Sequence, residues 1–438
     1  MAVKDFFRGR AGYVVACTGL LVLIVLFFVI PTKKQDDNTL TIVALKIWSD
    51  PLNAKFEQIC AEYEKQYNVK VRIVHFSPDE ADSKLASFIN SDTGGDLAVF
   101  PAQKISIYND QLMDLTDVAN DVSTPYGGFY PIASDMTTVQ GRYYGLPLYS
   151  WCHLWIYDGA LLKRYNLQPA NTFDEAEHLA LALKKSDPNV DSFGIGMGKD
   201  DDTAMFLQSV MWAYGASIVG KDGKTITIDS KQTRQALSYV IRLYRDDKVI
   251  PAGAFGWDGA TNNTNFLAKR LAFTMNSPTI LLKARENDEP FARSIVETVY
   301  PSGPVGRFSY GTGFAFGARR SNPKRHAIEQ FLRFLYSRDN YRDLLTAGGG
   351  AVNPWLKGCE DLPMWKDPQL KPCLDSLQYQ KPVGWPGPVT PAASQVFDQR
   401  ILAQILSDVI NNHMTLDDAI DKAERNIRDI YATNGVSQ

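Results

Sequence analysis

In YGLPLYSWCHLWIYD, residues 144–158, the side chains alternate with a period of two from Leu148 onward. Leu148, Ser150, Cys152, Leu154 and Ile156 fall on one face, and Tyr149, Trp151, His153, Trp155 and Tyr157, all ring-bearing, fall on the other. That period predicts a strand. Before it, LTIVALKIW, VKVRIVHF and GGDLAVF read as three further strands. Between the first two, Leu52, Phe56, Ile59, Cys60 and Tyr63 recur at helical spacing behind Asp50 and Pro51, a cap and a first turn. Thr172 and Glu175 have capping-box spacing ahead of an apolar stripe, and KQTRQALSYVIRLYRDD predicts an amphipathic helix. LAFTMN, IVETVY and the glycine-punctuated YGTGFAFGA predict short strands. Asn322 and Pro323 open a helix, and two more run from Pro391 to about Ile410 and from Thr415 to about Tyr431. Strand and helix in alternation predict an α/β class with mostly parallel sheets covered on both faces.

One stretch departs from this grammar. Residues 11–30, AGYVVACTGLLVLIVLFFVI, carry no charge over 20 positions, about 30 Å of helix and enough to cross a bilayer. Basic residues precede it, which predicts a short cytoplasmic tail over 1–10, one transmembrane helix over 11–30, a linker over 31–39 and a body outside a bacterial cell membrane, on its periplasmic or extracellular side. The run ends in FFVIPTKK, without a small-residue cleavage site, so an uncleaved signal anchor is expected. VVAC, ending at Cys17, resembles a lipoprotein box near the start of the run, so cleavage or lipidation is the alternative.

Charge and cysteine usage sharpen the picture. Lys4, Arg8, Arg10, Lys33 and Lys34 lie at the front against Asp5, so residues 35–438 hold 41 basic and 48 acidic side chains, a balance of −7. Such a body lacks the basic stripe that a nucleic-acid partner needs. An exported body permits disulfides. Cys359 and Cys373 bracket a polar, proline-containing loop of a size that closes without much strain, and a bridge there would contribute roughly 3 kcal/mol. Cys60 and Cys152 read as buried free thiols.

Catalytic motifs are scarce. GTGFAFG is followed by ARRSNP rather than opening directly into a helix, GIGMGKD lacks the spacing and Ser/Thr of a phosphate loop, and neither H-E-x-x-H nor G-x-S-x-G occurs. No cofactor or metal is expected, and no enzyme activity. Carboxylate dyads need no proximity in sequence, so an anchored polysaccharide-active enzyme stands as an alternative.

The order IWSD, GGDLAVF, QLMDLTDVAND, GRYYGLPLYSWCHLWIYDGALLKRYNLQPANTFDEAEHLALAL, NFLAKRLAFTMNSP, YPSGPVGRFSYGTGFAFG and NPKRHAIEQFLRFLYSRDNYRDLLTAGGG resembles the family 1 extracellular solute-binding proteins, the maltose-binding-like receptors of ABC importers. The resemblance runs from about Leu40 to the C-terminus. It implies a two-lobed fold with three interlobe crossings and a ligand cleft between the lobes. Carried over, it gives an N-lobe of 40–148 and 302–346 and a C-lobe of 149–301 and 347–438. It implies a monomer that binds a sugar, oligosaccharide or polyol and delivers it to ABC permease subunits, or the same fold acting as a ligand sensor for a signalling partner.

Sugar binding needs flat apolar platforms and planar polar groups. Ligands in open α/β sheets sit beyond the carboxyl ends of strands, which nominates Trp48, Ser49 and Asp50, with a helix cap as the rival reading of Asp50. The resemblance places Phe100 where sugar-binding members carry a stacking ring, and Gln103 in the same loop. Tyr149 and Trp151 fall at the first crossing, with His153, Trp155 and Tyr157 as packing beyond it. Trp151 stands where maltose-binding members are acidic, implying a different sugar. Ser277 and Thr279 stand where many members have a glycine–tryptophan pair. Trp257, Asp258 and Trp385 are the substitute platforms and contacts, or else loop anchors. Asn276 and Thr312 are hydrogen-bonding candidates, and the glycines of YGTGF serve either close ligand approach or a tight strand end.

Overall fold

A computed structural model describes residues 38–46, 49–77, 80–91 and 94–435. The expected membrane anchor and Trp48 lie outside the described residues, as does most of the linker. Among the described residues no helix is long and apolar enough to cross a membrane.

The first half of the chain runs β1 (Thr39–Leu45), α1 (Asp50–Tyr67), β2 (Lys70–Phe76), β3 (Leu97–Pro101), β4 (Leu146–Trp151), β5 (Leu154–Asp158), α2 (Phe173–Ser186), β6 (Asp191–Gly194) and α3 (Asp201–Ala213). The second half runs α4 (Lys231–Arg245), β7 (Leu271–Asn276), α5 (Thr279–Asn287), β8 (Ile295–Thr298), β9 (Thr312–Gly317), α6 (Arg325–Leu335), β10 (Asn353–Pro354), α7 (Lys371–Ser376), α8 (Pro391–Asp398), α9 (Ile401–Ile410) and α10 (Leu416–Thr433). Local chemistry explains several boundaries. The Thr172 side chain accepts from the Glu175 amide while Glu175 accepts from the Thr172 amide, the reciprocal cap that starts α2. Leu52, Phe56, Ile59, Cys60 and Tyr63 are the buried face of α1, and each large apolar side chain there contributes roughly 1.5–3 kcal/mol.

Two sheets carry the molecule. Six strands lie in the order β10-β4-β9-β3-β1-β2, and four in the order β8-β5-β7-β6. β1 pairs β3, and β6 pairs β7, in parallel. β9 runs antiparallel to both β3 and β4, β10 to β4, and β5 to both β7 and β8. The sheets are thus mixed, against the expectation of mostly parallel ones. Strand–helix–strand units return the chain in the same direction. A strand that enters a sheet straight from the other sheet has no such helix to turn it and pairs in the opposite sense.

The alternating stretch of residues 148–157 is cut at Cys152 and His153 into two strands, β4 in the larger sheet and β5 in the smaller. The chain changes sheets again between β8 and β9, and after β10 it passes to α8, α9 and α10, whose apolar residues belong to the cluster around Trp155 and Tyr157. Two of these passages are laced together, since Ser309–Tyr310 pairs in parallel with Gln380–Lys381. One apolar cluster fills the larger sheet and reaches over one face of the smaller through Leu154, Ile156, Leu281 and Phe291, while a second packs the opposite face with Trp155, Tyr157, Phe193, Phe273 and the apolar faces of α2, α3, α4, α9 and α10.

The cysteine expectation is corrected here. Cys373 bonds Cys152, with Cα atoms 5.7 Å apart, and Cys359 is a buried free thiol, as is Cys60. The reason is tertiary: α7 packs against β5 and β8, which brings Cys373 to the point where the chain leaves β4, while Cys359 turns inward and its carbonyl accepts from the Trp365 indole at 3.1 Å. The helix expected from Pro391 to about Ile410 is also two helices. The chain breaks after Asp398, with Arg400 in the left-handed region at φ 52°, a conformation rarely adopted by a side chain of this size.

Candidate interlobe cleft

The junction between the sheets is built from the sheet-changing segments. Thr312 pairs with Trp151 and Phe314 with Tyr149 across β9 and β4, so the four side chains share one face. Phe314 packs edge-on against both rings, at 5.8 Å from Tyr149 and 5.1 Å from Trp151. Tyr149 is buried, whereas Trp151 and Thr312 are half-buried and remain accessible. The Trp151 carbonyl accepts from Gln380 at 3.1 Å, which fixes the end of the strand. His153, Trp155 and Tyr157 are buried, the last two among the rings of Phe173, Phe193 and Phe273. Burial without a partner at Nδ1 pushes the His153 imidazole down to about 4, so it is neutral at ordinary pH.

The glycines of YGTGF serve the fold. A Cβ at Gly313 would collide with the Trp355 ring and sit 2.6 Å from the Tyr149 carbonyl, and one at Gly311 would collide with Ile132. Packing against neighbouring side chains and backbone requires both residues.

At the rim of the larger sheet, Ser49 holds the N-cap position of α1, buried and without a side-chain cap bond, and Asp50, expected as the cap, is instead exposed in the first helical turn, where the helix dipole favours a carboxylate. Lys283 of α5, whose pKa is raised first by its hydrogen bond to Glu286, also feels Asp50 from the other side of the cleft. Phe100, expected as a platform, is a core ring: fully buried, edge-on to Phe88 at 5.7 Å and tilted on Tyr108. The alternation of β3 turns it inward. Gln103 lies in the single turn Ala102–Lys104 after β3, buried, with Oε1 unpartnered.

At the rim of the smaller sheet, Asn276 closes a buried chain of amides. Thr274 donates to the Gly194 carbonyl at 2.6 Å, Asn262 donates to Thr274 at 3.1 Å and to the Met275 carbonyl, and Asn276 donates to Asp202 at 3.2 Å while accepting from the Ser277 amide. Asn276 is thus spent on positioning Asp202. Burial, then the neighbouring Asp200 and Asp201, push the Asp202 carboxyl up to about 8, against the pull of Asn276. Nothing in the sequence singled out Asp202. Asp200 is the cap of α3, accepting from the Thr203 amide at 2.9 Å. Trp257 is half-buried between the two cores. Asp258 is exposed and accepts from Ala260 and Thr261, which anchor the next helix and lower its pKa. Ser277 and Thr279 hydrogen-bond each other at 2.6 Å. Trp385 is half-buried, edge-on to Trp212 at 5.7 Å, and its carbonyl accepts from the Trp212 indole. Trp212 in turn stacks on Tyr310, 6.1 Å away with ring planes 2° apart.

The structure therefore brings Trp151 and Thr312 to the junction and Asn276, with Asp202, to one rim. It moves Phe100 and Tyr149 into the core, and gives Asp258 and Trp385 anchoring contacts. Among the described residues no group of three or more His, Cys, Asp or Glu is placed to hold a metal. A groove of about 930 Å³ between α1 and α6 is lined by Glu62, Lys65, His326 and Arg333. It lies away from the strand ends and offers solvated charges, so it is not the candidate site.

A family model described as bacterial extracellular solute-binding protein matches residues 58–372. A binding protein of Brucella abortus (strain 2308) is 24% identical over 265 residues, which cover 58% of this chain and 62% of that relative. The chain thus spans under two thirds of the curated relatives it matches. Among solved structures, maltose-bound MalE3 of T. maritima matches with TM-score 0.78 at 19% identity, over 90% of this chain and 99% of that one. A solute-binding protein of an ABC transporter from Thermotoga lettingae, bound to α-D-tagatose, gives 0.77 at 20%, over 90% and 99%. One from Agrobacterium radiobacter K84, in complex with ribitol, gives 0.74 at 19%, over 90% and 98%. At these identities the structural likeness speaks for the two-lobed fold alone.

Proposed function

The chain belongs to the bacterial extracellular solute-binding proteins, which are receptors and not enzymes, and we propose that it binds a sugar, oligosaccharide or polyol between its lobes and passes it to an ABC permease. The observation that carries the reading is the half-buried Trp151 ring beside Thr312 at the sheet junction. A flat ring covers the C–H face of a pyranose or polyol while a hydroxyl beside it takes one hydrogen bond. Asp202, held by Asn276 on the opposite rim, supplies a further polar contact. Closure is a hinge motion driven by tighter binding in the closed state.

The body acts outside the cell, tethered by residues 11–30 with the N-terminus cytoplasmic. The Cys152–Cys373 disulfide supports that placement, because such bonds persist in oxidising compartments. A short tether raises the concentration of the receptor at its permease without adding a contact. The test is thermal unfolding of the full-length, detergent-solubilised chain against a panel that includes maltose, D-tagatose and ribitol. At least one compound raises Tm, and Trp151→Ala shrinks the rise. A flat response across mono-, oligosaccharides and polyols overturns the reading.

A further inference from the structure

The break between α8 and α9 sets two opposite charges back to back. On one side Asp398 accepts from Lys104 at 2.7 Å. Lys104 belongs to the turn after β3 of the larger sheet, whereas α8 packs on α10 within the core of the smaller. The pair is 294 residues apart in sequence, and its side chains are only 11% and 28% exposed, where screening by salt is weak. On the other side Arg400 reaches Asp201, at the start of α3, at 2.7 Å. Arg400 takes that direction through its left-handed backbone, and its guanidinium also donates to the Asp398 carbonyl. A buried neutral bond doubles the grip, since Ser394 of α8 donates to the Gln103 carbonyl at 3.0 Å. An uninterrupted helix from Pro391 to Ile410 would lack the left-handed turn that lets one corner hold both partners.

We propose that this corner is an ion-pair clamp between the lobes, in which Asp398 grips Lys104 of one lobe, Arg400 grips Asp201 of the other, and opening the cleft breaks the first pair while the second keeps the corner in place. A contact made only with the lobes together raises the population of the closed form and with it the affinity for whatever the cleft binds. The inference concerns lobe closure and does not depend on the ligand being a sugar.

The experiment is hydrogen exchange by mass spectrometry on the full-length chain in detergent, comparing wild type with Lys104→Met and with the isosteric Asp398→Asn. In either variant, amides of residues 101–106 and 391–400 exchange about fivefold to tenfold faster, while β2 keeps its rate. The double variant is no faster than the singles, because both remove the same pair. Unchanged exchange at residues 101–106 in Asp398→Asn, acceleration spread evenly over the body, or additive effects in the double variant would overturn the clamp. Should Lys104→Met fail to accumulate, Asp398→Asn alone decides.

Discussion

Glu297 shows how one side chain departs from what its strand predicts. IVETVY places it as an ordinary polar position on a short strand, yet it is buried opposite Ile156 with both carboxylate oxygens unpartnered. Burial pushes its pKa up to about 8, while Arg285 pulls it down and Asp367 pushes it up. The unfolded chain loses this proton near the usual carboxylate pKa, so between there and about 8 the native state holds the extra proton and stability falls as pH rises. Glu297→Gln is therefore expected to change Tm little near pH 4.5 and to raise it progressively up to pH 8, with a gain of order 2–4 kcal/mol. A pH series of melting curves checks it, and a gain that is constant with pH would show that the carboxyl is not buried in protonated form. The same contrast separates Phe100 from Trp151. Both are aromatic residues near strand ends, and sequence spacing could not tell that one ring faces the core. Asp202 was hidden for the converse reason: in a run of three aspartates that forms the cap and first turn of a helix, the capping role masks the residue that the buried Asn276 amide holds.

Elements set by local chemistry were legible. The capping box of α2, the buried stripe of α1 and the strands at LAFTMN and GGDLAVF formed where period and caps placed them. Elements decided by tertiary contact were not. The cut between β4 and β5 leaves the period of two intact while moving Leu154 onward into another sheet, and the α8–α9 break sits inside an unbroken apolar pattern. β9 carries the clearest consequence, because Gly313 lies where the Trp355 ring presses on the strand. Gly313→Ala is expected to destabilise by about 1–3 kcal/mol through overpacking, read as a lower midpoint in denaturant. An unchanged midpoint would mean that Trp355 moves aside freely.

At the scale of the molecule, family resemblance made the architecture readable, while the parallel character of the sheets and the cysteine pairing were misread because neighbours in sequence are not neighbours across a crossing. The Cys152–Cys373 bond closes 221 residues of chain, and by loop entropy it contributes about 5 kcal/mol. Reductant should therefore lower Tm of the wild type and of Cys359→Ser alike, and should have no effect on the Cys152→Ser/Cys373→Ser double variant, whose Tm is already low. Equal reductant sensitivity in the double variant would place the bond elsewhere. The face-to-face pair of Trp212 and Tyr310 has a use of its own. Trp212 belongs to α3, whereas Tyr310 belongs to a passage between the sheets. The Tyr310 amide also donates to the Ser209 hydroxyl of α3 at 2.9 Å, so the two rings travel together, and a change in the emission of the unlabelled protein reports this passage peeling away from that helix.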